Sequence, residues 1–202
     1  MRRNSCTVVG LAGPVPAEVL GAVGQSMNVT LIRPADQDEP ADDGGLAAAA
    51  EALRRAGRAT SPYALVTADP LAAVAEGWQG MWDLTQPQGP ARFEQEASAA
   101  LAAWRAGRFE LPDYYLVTTA EADGRPPDQL EQNFHLGPLR AARPHRVAFV
   151  PATEPAEQAA GVLQALGSLR HGPWWPPLDD LIAAARTFYP GSLAEAAPPR
   201  LV

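Results

Sequence analysis

Cys6 to Leu11 reads CTVVGL, and the overlapping stretch Gly10 to Leu20, GLAGPVPAEVL, follows it with a turn and a helical pattern. The first run holds β-branched Thr and Val, carries no charge, and shows no polar alternation, as a strand buried on both faces requires. Gly10, Gly13, Pro14 and Pro16 punctuate its end. From Pro16 to Met27, Val19, Leu20 and Val23 then recur at helical spacing despite Gly21 and Gly24. Strand, turn and helix in this order are the opening of a β-α-β unit.

The same sentence is repeated along the chain. VTLI (29–32), YALVT (63–67), DYYLVTT (113–119) and RVAFV (146–150) are further short apolar runs, each separated from the next by a helical pattern or a longer connection. Leu46 to Ala56 is Ala-rich, with Arg54 and Arg55 in its last turn before Gly57. Asp69-Pro70 resembles an N-cap and first helical residue, opening a short helix to Ala75. Phe93, Ala97, Leu101 and Trp104 mark a helix from Pro90 to Ala106 with Gly107 as its stop. Thr153-Glu154-Pro155 starts another, and a short helix is expected around Asp128 to Phe134. Residues 76–88 and 121–143 interrupt the pattern with Gly and Pro. The acidic run Asp36, Asp38, Glu39, Asp42, Asp43 reads as a solvated loop.

Buried strands alternating with helices predict an open parallel sheet covered on both sides. The expected fold class is α/β: a single three-layer, Rossmann-like domain over residues 1–190, with a mostly parallel sheet of about five strands, helices on both faces and right-handed crossovers. Glu195 to Val202 belongs to a Pro/Ala-rich tail over 191–202, expected to fray.

Composition removes several chemistries. The 16 basic residues are all arginine, and without lysine there is no Schiff-base amine, no P-loop lysine and no kinase lysine. A net charge of −7 argues against a non-specific nucleic-acid binder and against attachment to an acidic membrane surface. Cys6 is the single cysteine, which precludes an internal disulfide and fits a buried structural thiol. The start, MRRNSCTVVGLAGPVPA, is cut short by prolines as a secretory core, so a cytoplasmic protein is expected. No histidine pair shows metal-ligand spacing and no GxSxG elbow occurs.

In such a sheet, ligands bind outside the carboxyl ends of the strands. Gly10 and Gly13 could bring backbone N–H groups to a phosphate, with Asp36 near a ribose. Yet the full GxGxxG pattern is missing, and a turn that needs glycine is the preferred reading. Asp69, Glu121, Asp123 and Glu154 have the chemistry of a Mg²⁺ site if they converge, although Asp69 and Glu154 are equally explained as helix starts. His135, Arg140, Arg143, His145 and Arg146 form the one strongly basic segment, with guanidinium forks suited to phosphate or carboxylate. The leading expectation is therefore a small anionic ligand, a nucleotide or an acyl or carboxylate metabolite, held by Arg140, Arg143 and Arg146 and walled by Trp78 and Trp82. Neither a reaction nor a cofactor is named by the pattern.

The most distinctive local sequence is His171 to Gly191, HGPWWPPLDDLIAAARTFYPG. Leu178, Leu181, Ile182 and Ala185 give its helix one apolar face, Asp179 and Asp180 lie in the first turn, and Arg186 in the last. Trp174 and Trp175 are adjacent, so one is expected to pack inward and the other outward. The alternative function is accordingly an accessory or scaffold protein, a homo-oligomer or a partner of another chain, acting through this Trp-Pro segment and the last helix.

Overall fold

The computed structural model describes residues 6–34, 45–82, 87–118, 133–151 and 154–190. Five strands, β1 (Thr7–Ala12), β2 (Val29–Ile32), β3 (Tyr63–Val66), β4 (Tyr114–Thr118) and β5 (Val147–Val150), form one sheet. All pairings are parallel and the order is β2-β3-β1-β4-β5. The first strand is thus central. This order differs from both the 3-2-1-4-5 order of dinucleotide-binding sheets and the 2-1-3-4-5 order of flavodoxin-like ones. What stands is a single α/β domain with helices on both faces.

Side-chain alternation along each strand builds two cores. Val8, Ala12, Ala64, Val66, Tyr115 and Val117 face one side, while Val9, Leu11, Leu65, Tyr114 and Leu116 face the other. Against the second face pack α1 (Ala17–Gly24) and α6 (Pro155–Gly167). The larger first face carries α2 (Leu46–Ala56), α3 (Ala72–Gly80), α4 (Gly89–Arg105) and α7 (Leu178–Thr187). Right-handed crossovers account for this split. The chain leaves β1 toward the β2 edge with α1 on one face, and every later crossover runs the opposite way with its helices on the other.

Two expected boundaries shift. The short helix after β3 runs on to Gly80, through the glycines that looked like a break. A Cβ on Gly77 would lie 2.8 Å from the Phe93 Cα, and one on Gly89 2.0 Å from the Gly80 carbonyl oxygen. Those glycines let α3 and α4 touch backbone to backbone. The helix also begins later than Asp69-Pro70, with Leu71 as its cap. Most of the expected helix at 128–134 lies outside the described residues, as do the 191–202 tail, Asp36, Glu121 and Asp123. A π-helical segment, His135–Leu139, continues into α5 (Arg140–Ala142) and leads to β5.

The last helix behaves as its sequence demands. Leu178, Leu181, Ile182 and Ala185 are buried, and α7 runs antiparallel to α4 with an ion pair at each end, Arg186 to Glu94 and Arg105 to Asp179. Among the described residues no helix is long and apolar enough to cross a membrane.

Candidate functional site at the carboxyl edge of the sheet

At the carboxyl end of β1 the backbone turns sharply. Gly13 has φ 97°, and a Cβ there would lie 2.0 Å from the Thr118 carbonyl oxygen. Only glycine lets the end of β4 approach so closely. The buried Thr118 hydroxyl donates to the Pro14 carbonyl at 2.9 Å and lies 3.3 Å from that of Ala12, tying the turn to β4. Beyond it α1 starts at Ala17 with no side-chain cap, and the first intrahelical bond is from the Leu20 N–H to the Pro16 carbonyl. The N–H groups of the first turn therefore have no partner within the helix. Gly10 has a different role from a turn glycine. It lies inside β1, where a Cβ would meet the Tyr115 ring at 2.9 Å.

That ring leads to a buried polar cluster. Tyr115 donates its hydroxyl proton to Asp69 Oδ1 at 2.9 Å, the Leu71 N–H donates to the same oxygen at 2.9 Å, and His135 Nε2 lies 2.8 Å from Oδ2. With a carboxylate opposite, Nε2 carries the proton. Burial alone would push the Asp69 carboxyl up. The electrostatic pull of His135, its hydrogen bond, and the donors of Leu71 and Tyr115 outweigh that and hold it below the usual range. Burial first, then the Asp69 carboxylate, push the Tyr115 hydroxyl well above its ordinary value. Asn133 fixes His135 from below by accepting from the His135 and Leu136 N–H groups. The cluster joins the loop after β3, the middle of the sheet and the π-helical segment.

The residues expected to form an anion site do not gather there. Arg146 is buried at the start of β5, on the amino edge of the sheet. It donates to the carbonyls of Asp113, Gly172 and Pro173. Arg143 bonds the Trp174 carbonyl, and Arg140 is exposed on α5. The guanidinium forks of Arg143 and Arg146 are filled by carbonyls because the Pro-rich segment at 172–177 supplies acceptors with few donors of its own. Trp78 is core, not pocket wall. It is fully buried, and its indole N–H donates to the Ala185 carbonyl of α7. Trp82 packs edge-on between Trp78 and Tyr189, with no acceptor for its buried N–H among the described residues. Trp175 is likewise core, 6% exposed, donating to the Pro112 carbonyl, whereas Trp174 is 52% exposed.

Other candidates resolve more simply. Glu154 is the exposed residue preceding α6, and among the described residues no three His, Cys, Asp or Glu side chains gather as metal ligands. Cys6 is buried in the larger core, where burial and then the nearby Asp113 carboxylate raise its thiol. A thiol so held is a poor nucleophile.

The Asp69–His135–Tyr115 cluster escapes sequence reasoning because its members stand 46 and 66 residues apart with no motif between them. The signals available were the position of Asp69 just after a strand and the presence of His135 in the basic segment. Comparison of the chain with protein-family models, with curated proteins and with solved structures finds no match to any of them.

Proposed function

We propose that this chain binds a small anionic ligand, a nucleotide or an acyl or carboxylate metabolite, in the crevice outside the carboxyl ends of β1, β3 and β4. The reversal of chain direction at β1 carries the reading. The connection leaving β1 passes over one face, and those leaving its neighbours β3 and β4 pass over the other. Such a switch point opens a crevice at the strand ends, where ligands of open α/β sheets bind. The turn at Gly13 presents the uncapped first turn of α1 at this point, and N–H groups there favour an anion. Asp69 and His135 are positioning residues in this scheme, fixing the loop after β3 and the π-helical segment. The arginines of the amino edge have no part in it.

A thermal-shift screen of nucleotides and carboxylate metabolites tests the proposal. A ligand present at about a hundred times its Kd should stabilise the fold by roughly 2.7 kcal/mol. Ala17→Pro removes one N–H at the first helical position, where proline is tolerated, and Pro16 already has the extended conformation (ψ 144°) that a following proline needs. It should weaken binding about tenfold with the ligand-free Tm nearly unchanged. Arg143→Ala should leave the ligand response intact. No shift across the panel, or equal affinity in Ala17→Pro, would sink the idea.

A further inference from the structure

We propose that the amino-edge surface centred on Trp174 is a docking site for an acidic protein segment bearing an apolar side chain. Three observations converge on it. Trp174 is half exposed, yet its backbone is held by the neighbouring element. The carbonyls of Arg170, Gly172, Pro173 and Trp174 accept, in turn, from the Tyr114 hydroxyl, Arg146, both Arg146 and His145, and Arg143. The Arg146 guanidinium lies 4.5 Å from the centre of the Trp174 ring and 5.1 Å from that of Tyr114. One face of the indole is thus covered by a cation while the side chain stays half open to solvent. An aromatic anchor immobilised before binding loses little entropy on docking.

Charge decides the partner. In a chain of net charge −7, Arg143 and His145 bond the carbonyls of Trp174 and Pro173, the exposed Arg170 and His171 precede the indole by four and three residues, and none of the four forms an ion pair with a carboxylate among the described residues. A local basic patch on an acidic protein attracts acidic segments and steers their approach, while the charge of the whole disfavours a polyanion as long as a nucleic acid. The apolar side chain of the segment would cover the indole, with a carboxylate on the exposed Arg170.

Fluorescence anisotropy of a labelled twelve-residue Asp/Glu/Leu peptide against the full chain tests this, beside a Lys/Leu peptide and a dT oligonucleotide of the same length. The acidic peptide should bind, more weakly at high salt. Trp174→Ala should cost about tenfold or more, and Arg170→Glu, which keeps the indole, should do likewise. Far-UV circular dichroism establishes that both variants are folded. The proposal is overturned if the acidic peptide does not bind, if either folded variant binds it as the parent does, or if the oligonucleotide or the Lys/Leu peptide binds as tightly.

Discussion

Asp69 illustrates how one residue can satisfy a sequence expectation and still have a larger role. Its position after β3 and before a proline reads as a helix start, and Oδ1 does accept the Leu71 N–H. The same carboxylate, though, is the acceptor for Tyr115 and His135, buried partners from two other elements. Its lowered pKa has a definite sign. The unfolded chain binds a proton near the ordinary Asp value of 3.8, and the folded one only at lower pH. The stabilisation is fully present above that value and is lost as pH falls through it toward the folded-state pKa. Urea midpoints should therefore drop as pH falls below about 4. Asp69→Asn sets an amide N–H₂ against a donor, and should cost on the order of 1–3 kcal/mol at neutral pH and flatten that acid limb. An unchanged acid limb would remove Asp69 as its source. Tyr115 gives the opposite limb. Its raised pKa contributes stability below the unfolded value near 10.0, which is lost as pH rises beyond it.

At the scale of elements, the segment from Arg170 to Pro177 is held by side chains rather than by a ladder. Three prolines deprive it of donors, so its carbonyls recruit Arg143, His145 and Arg146 from the start of β5. Both halves of this clasp were legible as unusual sequences, one basic and one Trp-Pro. That they belong to each other was not, because nothing local pairs residue 146 with residue 173. Arg146→Met retains the length of the side chain and removes its donors. A loss on the order of 3 kcal/mol in urea unfolding is expected, with a red shift of indole emission as Trp174 leaves its cation. A midpoint like the parent's would show the clasp to be incidental. The same lesson applies to α3 and α4, where Gly77 lay in an expected break and, with Gly89, is a contact point between the helices.

Across the whole molecule, edge-on or tilted aromatic contacts run continuously over the larger face. They pass from Tyr189 through Trp82, Trp78, Phe134, His135 and Tyr115 to Trp175, with ring centres 4.8–6.0 Å apart. This chain fastens the C-terminal segment to the centre of the sheet, so Trp175 and α7 are part of the core. Truncation after Arg170 removes Trp175, Leu178, Leu181, Ile182 and Ala185 from that core. Loss of near-UV circular dichroism with far-UV signal retained is expected, the behaviour of a domain that has lost specific packing. A truncated chain with the parent's near-UV spectrum would contradict it.

The sequence by itself determined the class of fold. Several short apolar runs without polar alternation, set between helical patterns, call for a parallel sheet covered by helices, and the amphipathic period of α7 named its inward residues. It also determined that one of two adjacent Trp residues would be buried, because neighbouring side chains point apart. Tertiary structure alone decided the central place of β1, the turn tied to β4 at its end, and the partners of Asp69, Arg146 and Trp78. Strand order and buried polar pairing depend on which distant segments meet, and local periodicity carries information only about the face a residue presents, not about what it will face.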